Sequence, residues 1–255
     1  MSWGESMRAR LGARDWIVPD WPAPLRVRAF VTTRTGGVSE GAYASMNLGM
    51  SSGDDAQRVA RNREIVREVL PESPRWLAQV HGTHVFELDR DDEAGRPKAD
   101  AAVSRQRNRV CAVLTADCMP LLLCDLRGSA VAVAHAGWRG LAAGVVENAF
   151  RSIGARPEET IAWLGPTIGP AAFEVGPEVR EVFVTHDARA GSAFVEHRPG
   201  KYMADLYALA RQRLEGLGVS GVFGGGFCTY QEPDRFFSYR REKQSGRMGT
   251  FIWME

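Results

Sequence analysis

The sequence predicts a mixed α/β (α+β) fold: one compact domain whose mixed β-sheet core is covered by helices. Nearly continuous apolar runs at 110–114, 121–124 and 130–134 read as strands covered on both faces. Amphipathic stretches recur at intervals rather than after every strand, which favours a mixed sheet over strict βαβ alternation. No GxGxxG opens a helix after a strand, so a dinucleotide-binding Rossmann sheet is not indicated. The 255 residues are 44% hydrophobic and 25% charged, enough apolar surface for a folded core. No repeat or long linker divides the chain, so an N-terminal extension, 1–24, precedes a single domain, 25–255.

Residues 25–33 alternate Val27, Ala29 and Val31 with Arg26 and Arg28, the period of a half-buried strand. A glycine-rich loop follows, Thr33-Arg34-Thr35-Gly36-Gly37-Val38-Ser39. Over 54–70, Val59, Val66, Val69 and Leu70 form one stripe opposite Arg and Glu, a helix closed by Pro71. Strands are expected at 76–80, 85–88, 110–114, 121–124 and 130–134. Helices follow at 141–153, 177–185 and 205–217, the second opening with Pro177 after Gly176. Strand-like runs at 236–240 and 250–254 close the chain.

Charge and composition narrow the function. Thirty-two basic against 31 acidic residues give a net charge of +1, without the footprint of a nucleic-acid binder. The basic set is 29 Arg and only Lys98, Lys201 and Lys243, a bias that genome composition explains better than anion recognition. The apolar run over 110–124 is broken by Asp117 and falls short of the ~20 residues of a membrane span. Residues 1–16 carry no apolar segment of a secretion signal, so a cytoplasmic protein is expected. Cys111, Cys118, Cys124 and Cys228 form no CxxC pair, which removes zinc ribbons and thioredoxin-type redox motifs. Cys111, Cys124 and Cys228 read as small core hydrophobes.

Three residues share a different pattern, in which an apolar strand ends and a ligand-type side chain follows. His81 follows Trp76-Leu77-Ala78-Gln79-Val80, Cys118 follows the run from Cys111 to Asp117, and His135 follows Ala130-Val131-Ala132-Val133-Ala134. Strand ends are where a rigid scaffold presents functional groups. Two imidazoles and a thiolate make a zinc set, and three protein ligands leave the fourth position open for catalysis. The residues alone also fit hydrogen-bonded histidines beside an ordinary thiol. His84, His186 and His197 lack this context and read as structural or surface residues. Arg34 with Gly36-Gly37 can form an anion concavity, and Arg139 precedes a predicted helix start. Phe236-Phe237-Ser238-Tyr239-Arg240-Arg241 interleaves aromatics and arginines, fit to stack a base or clamp a phosphate or to form a strand with one wet face.

Together these motifs resemble the YfiH or laccase-domain family. The resemblance rests on Gln79-Val80-His81-Gly82, on Ala99-Asp100-Ala101 with Leu114-Thr115-Ala116-Asp117-Cys118-Met119-Pro120, and on Ala134-His135-Ala136-Gly137-Trp138-Arg139-Gly140. Support comes from the Arg34 loop, Asn47-Leu48-Gly49, Gly165-Pro166-Thr167-Ile168-Gly169-Pro170, Cys228-Thr229-Tyr230 and Phe237-Ser238-Tyr239-Arg240-Arg241. It spans about residues 25–254. It implies one zinc per chain on His81, Cys118 and His135. It also implies phosphorolysis of purine nucleosides (adenosine, inosine and methylthioadenosine) by inorganic phosphate, with adenosine deamination as a side activity. On that basis Arg34, with Arg139 or Arg240, is expected to clamp phosphate. Asn47 is expected to place a ribose hydroxyl, Tyr230 or Phe237 to stack the base, and Asp117, beside the catalytic ligand Cys118, to shuttle a proton.

Two rivals remain from the same residues. The family's older name is polyphenol oxidase, but a blue-copper centre plus a multinuclear cluster would use more imidazoles than the five His present, and none forms an HxH pair. Copper can enter by exchange, because Cu²⁺ outranks Zn²⁺ for such ligands. Alternatively Cys118 and His135 act as a thiolate–imidazole pair in an amidase that edits peptidoglycan precursors. Metal discriminates the two, since a coordinated thiolate is no longer a free nucleophile.

Overall fold

A computed structural model describes residues 3–90, 95–219 and 221–255. Its centre is a six-stranded mixed sheet of β2 (Val85–Glu87), β3 (Ala101–Ser104), β5 (Met119–Asp125), β6 (Val131–Ala136), β7 (Thr160–Leu164) and β11 (Gly221–Gly224), in the order β11-β7-β5-β6-β3-β2. The outer pairs are parallel and the inner three antiparallel. Beside it lies an antiparallel sheet ordered β1-β12-β4, made of β1 (Val27–Val31), β4 (Cys111–Thr115) and β12 (Met248–Met254). A third, small sheet joins β8 (Glu174–Val175), β10 (Lys201–Ala204) and β9 (Phe194–Arg198).

Period-2 alternation divides the core between the two faces of the central sheet. Leu122, Cys124, Val131 and Val133 face a cluster shared with the β1-β12-β4 sheet. Leu121, Leu123, Ala132 and Ala134 face a second cluster under α4 (Val145–Ile153), α5 (Pro177–His186) and α6 (Leu206–Gly216). The alanines let α4 lie close to β6 and β3. Helix α2 (Ala56–Arg67) is capped by Asp55, whose carboxylate accepts from the N–H groups of Gln57 and Arg58, an arrangement worth about 1 kcal/mol. The segment before β1 is tied into the same core: α1 (Trp3–Leu11) buries Met7 and Leu11 one turn apart, and Ile17 bridges Val31. The first two residues of that segment lie outside those described. No helix among the described residues is long and apolar enough to cross a membrane.

The mixed architecture is as the sequence implies, with local differences. Residues 76–80 are not a strand. The Gln79 side chain substitutes for strand pairing there, its amide donating to the Leu114 carbonyl and accepting from the Leu114 N–H, both at 2.8 Å. The expected helix at 141–153 is two, α3 (Trp138–Ala143) and α4, split at Gly144, whose φ of +103° ends the first and starts the second. The expected strand at 236–240 is instead a buried Phe236–Phe237 anchor followed by α7 (Tyr239–Glu242), capped by Ser238.

Candidate metal centre and its cavity

Three neighbouring strands align the central residues. In the β5–β6 ladder Pro120 lies opposite His135, which places Cys118, just before β5, at the edge of the imidazole. In the β3–β6 ladder Ala101 lies opposite Ala134, so Asp100 meets His135 from the other side, and the His135 N–H donates to the Asp100 carbonyl at 2.7 Å. Cys118 stands where the chain leaves the β1-β12-β4 sheet at Thr115 and enters the central sheet at Met119. Asp117 makes that crossing at φ +81°. Close approach requires Gly137, because a Cβ there would sit 2.6 Å from the Cys118 sulfur.

His81 comes from an irregular segment at φ +60°, a conformation uncommon for residues other than glycine. Asp100 holds it there. One carboxylate oxygen accepts from the His81 N–H at 2.8 Å, and the other from Val80 at 3.1 Å and Gly82 at 2.7 Å. The first oxygen also accepts from His135 Nδ1 at 2.9 Å. Asp100 is fully buried, and it supports the side chain of one histidine and the backbone of the other. This bond places the His135 proton on Nδ1 and turns Nε2 toward Cys118 and His81.

One ligand atom from each of His81, Cys118 and His135 falls within 4.8 Å of the others, the one such triad found among the described residues. Cys118 Sγ lies 3.8 Å from His81 Nε2. A tetrahedral zinc with ordinary Zn–S and Zn–N bonds spans an S···N edge of about 3.6 Å, so the donors fit such an ion. Burial pushes the Cys118 thiol up, but the two histidines outweigh it and bring it down. Burial pushes His135 down, and Cys118 with Asp100 more than reverse that. A divalent cation held by this set would displace the imidazolium proton and meet a thiolate already favoured. Asp100 is likewise driven up by burial and held below the usual carboxylate range by His135 and its backbone donors.

The triad opens into a cavity of about 790 Å³. Leu77, Met50, Trp138, Ile168, Phe173 and Tyr239 give it apolar surface, and Arg96, Arg139, Arg240, Lys243 and Arg247 give it positive charge. Of the residues expected to hold substrate, Arg139 and Arg240 line it. The others do not. Arg34 donates to the carbonyls of Ala44 and Pro233, pairs with Glu242 at 3.1 Å and lies over the Phe237 ring, which uses its guanidinium inside the protein. Asn47 is buried; its amide donates to Ser52 and Asp54, and its oxygen accepts from Gly49 and Arg247 N–H groups. It therefore braces the wall without lining the cavity. Phe237 is a core residue beside Phe236 and Met248, and Tyr230 lies outside the lining. Asp117 is in the wall, with its carboxylate oxygens accepting from Thr229 Oγ1 at 2.6 Å and the Arg240 N–H at 2.7 Å. That arrangement holds the Cys118 crossing to α7. Sequence patterning gave no role to Asp100 or Arg247, although the motif carrying Asp100 was visible.

Comparison with known proteins adds three findings. Residues 28–255 match the family described as "Multi-copper polyphenol oxidoreductase laccase". The chain is 52% identical over 241 residues to a Pseudomonas aeruginosa protein named purine nucleoside phosphorylase PA4543, covering 94% of this chain and 98% of that one. It is 52% identical over 240 residues to purine nucleoside phosphorylase YfiH of Escherichia coli K12, covering 93% and 98%. The crystal structure of Neisseria meningitidis protein NMB0706 superposes with a TM-score of 0.91 at 49% identity, covering 95% of this chain and all of that one.

Proposed function

The chain belongs to the laccase-domain (YfiH) family, and from that premise we propose that it is a zinc-dependent purine nucleoside phosphorylase. Its substrates are adenosine, inosine and methylthioadenosine with inorganic phosphate, and adenosine deamination is a side activity. The observation that carries this reading is the composition of one cavity: a three-ligand metal set on its floor, apolar surface beside it, and positive charge around both. A volume of about 790 Å³ suits a nucleoside with its co-substrate. Zinc, when bound to His81, Cys118 and His135, supplies a Lewis acid with an open position.

In phosphorolysis a phosphate oxygen forms a bond to the anomeric carbon while the glycosidic C–N bond breaks. Its electron pair leaves with the purine, which takes up the proton that hydrogen phosphate gives up in becoming the sugar phosphate. The arginines of the wall hold the dianion and offset charge as it shifts, which is commonly the largest catalytic contribution. Trp138, Phe173 and Tyr239 offer apolar surface for the purine and exclude water around the sugar.

The test is product analysis with adenosine and inosine, with and without inorganic phosphate, alongside metal content. Ribose 1-phosphate and free base should form only with phosphate, and chelation should stop both until zinc is restored. Base release that ignores phosphate would overturn the reading. So would amide cleavage that survives chelation with Cys118 open to alkylation, which is the signature of the cysteine hydrolase.

A further inference from the structure

Three of the five cations of the cavity wall come from one short stretch of chain. Arg240, Lys243 and Arg247 lie on the short stretch from α7 to the start of β12, and all three line the cavity. None makes an ion pair with a described carboxylate. Arg247 is half-buried, and only its Nη1 is engaged, by the carbonyls of Ser245 at 2.6 Å and Gly246 at 2.9 Å. Its Nε–H and Nη2–H meet no protein acceptor among the described residues. Its backbone N–H is pinned by Asn47 Oδ1 at 2.9 Å, so the side chain starts from a fixed point. Burial lowers its pKa, the mark of a guanidinium short of compensating charge.

Lys243 is presented by strained backbone. It sits at φ +59° and ψ −54°, and the Gln244 N–H donates to the Glu242 carbonyl at 2.6 Å across it. That is a γ-turn of the rare, strained hand. The one acid in this stretch is meanwhile drawn off: Glu242 pairs with Arg34 and with Arg241, each at 3.1 Å. Arg34 and Arg241 therefore neutralise the carboxylate that would otherwise compete for the wall cations. What remains facing the cavity is positive charge with open donors, next to the metal ligands.

We propose that Arg240, Lys243 and Arg247 form the seat of a phosphate dianion, with Arg247 as its principal fork. The proposal rests on the phosphorolysis reading for the identity of the dianion as inorganic phosphate. A nucleoside 5′-monophosphate presents the same chemistry, so both are titrated. The planar Arg247 fork offers two parallel donors to adjacent phosphate oxygens, while Lys243 closes the exposed side as a point charge.

The experiment is equilibrium dialysis of radiolabelled inorganic phosphate against the zinc-loaded chain, with zinc content measured in every variant. Wild type should bind phosphate saturably at one site. Arg247→Ala should weaken it about 10- to 150-fold, the loss of a charge-assisted hydrogen bond. Lys243→Ala should weaken it roughly twofold to fivefold, as for an exposed charge, and Arg247→Lys should recover only part of the affinity. Lys201→Ala, at the exposed start of β10, should bind as wild type does. If Arg247→Ala does not fold, Lys243→Glu reverses a charge on an exposed turn and must still weaken binding. Undiminished phosphate binding in Arg247→Ala and Lys243→Glu overturns the seat, as does wild type that binds the monophosphate but not inorganic phosphate. If phosphate binds and the variants lose it, yet no purine nucleoside yields ribose 1-phosphate, the seat stands and the phosphorolysis reading falls.

Discussion

Asp100 and Arg247 are charged groups at the same cavity, built in opposite ways. Asp100 accepts four hydrogen bonds, from His135, His81, Val80 and Gly82, and is fully buried. Arg247 has two acceptors on one nitrogen and, among the described residues, no carboxylate within ion-pair distance. The difference separates two kinds of work. A metal site needs its ligands fixed before the ion arrives, so its supporting groups are satisfied by the protein itself. A site for a diffusible anion needs donors left open, so that the ligand completes them. The same logic distinguishes Arg34 from Arg247: Arg34 pairs with a carboxylate and spends its Nε–H and Nη1–H on protein acceptors, whereas Arg247 engages only its Nη1.

The sharpest way to break the comparison is to remove the floor. Cys118→Ala and His135→Ala should each lose most of the metal and with it the activity, because two remaining donors anchor the ion poorly. His84→Ala should keep both, since His84 lies outside the triad. Metal analysis of the purified variants checks this, and full zinc occupancy in Cys118→Ala would remove the site.

A smaller effect is expected one step back from the ligands. Asp100→Asn keeps the size of the side chain but turns an acceptor into a donor facing backbone N–H groups. The His81 turn should loosen and His135 lose its fixed tautomer, weakening zinc by roughly 10- to 100-fold, the usual range for such outer partners. Chelator competition gives the affinity, and imidazole ¹⁵N shifts report the His135 tautomer independently of activity. Unchanged affinity with an unchanged tautomer would show that the ligands hold themselves.

How much of this was legible in the sequence follows from where each signal resides. Strands β5 and β6 were plain, because a strand covered on both faces must be apolar throughout. β3, with the sequence Ala-Ala-Val-Ser, carries no strong strand preference and is fixed by pairing with β2 and β6. Residues 76–80 look like a strand because Trp76, Leu77, Ala78 and Val80 make a short, mostly apolar run, yet a glutamine side chain makes the sheet contact there. The triad His81, Cys118 and His135 could be picked out because each follows an apolar run. Asp100 could not be assigned its role, since four donors converge on it only once β3, β6 and the His81 segment are assembled. Arg34 misled for the same reason. Its loop has the composition of an anion site, and the acid that pairs with it is 208 residues away.

The smallest functional effect should come from Arg34→Ala, and it bears most directly on which arginines face the ligand. The side chain is mostly buried, donates to two backbone carbonyls, pairs with Glu242 and covers the Phe237 ring. Truncation leaves those carbonyls and one carboxylate less well satisfied, a cost of about 2–3 kcal/mol. In a chain of this size that lowers Tm by roughly 5–10 °C. Zinc content should not change, because Arg34 touches none of the ligands or their supports. Phosphate dependence should shift only modestly, through Glu242, which loses one of its two arginines and becomes freer to compete for Lys243. Thermal unfolding and the phosphate KM, measured on the same preparation, separate the two roles. A large rise in phosphate KM with unchanged Tm would restore Arg34 as the clamp and transfer the seat away from Arg247.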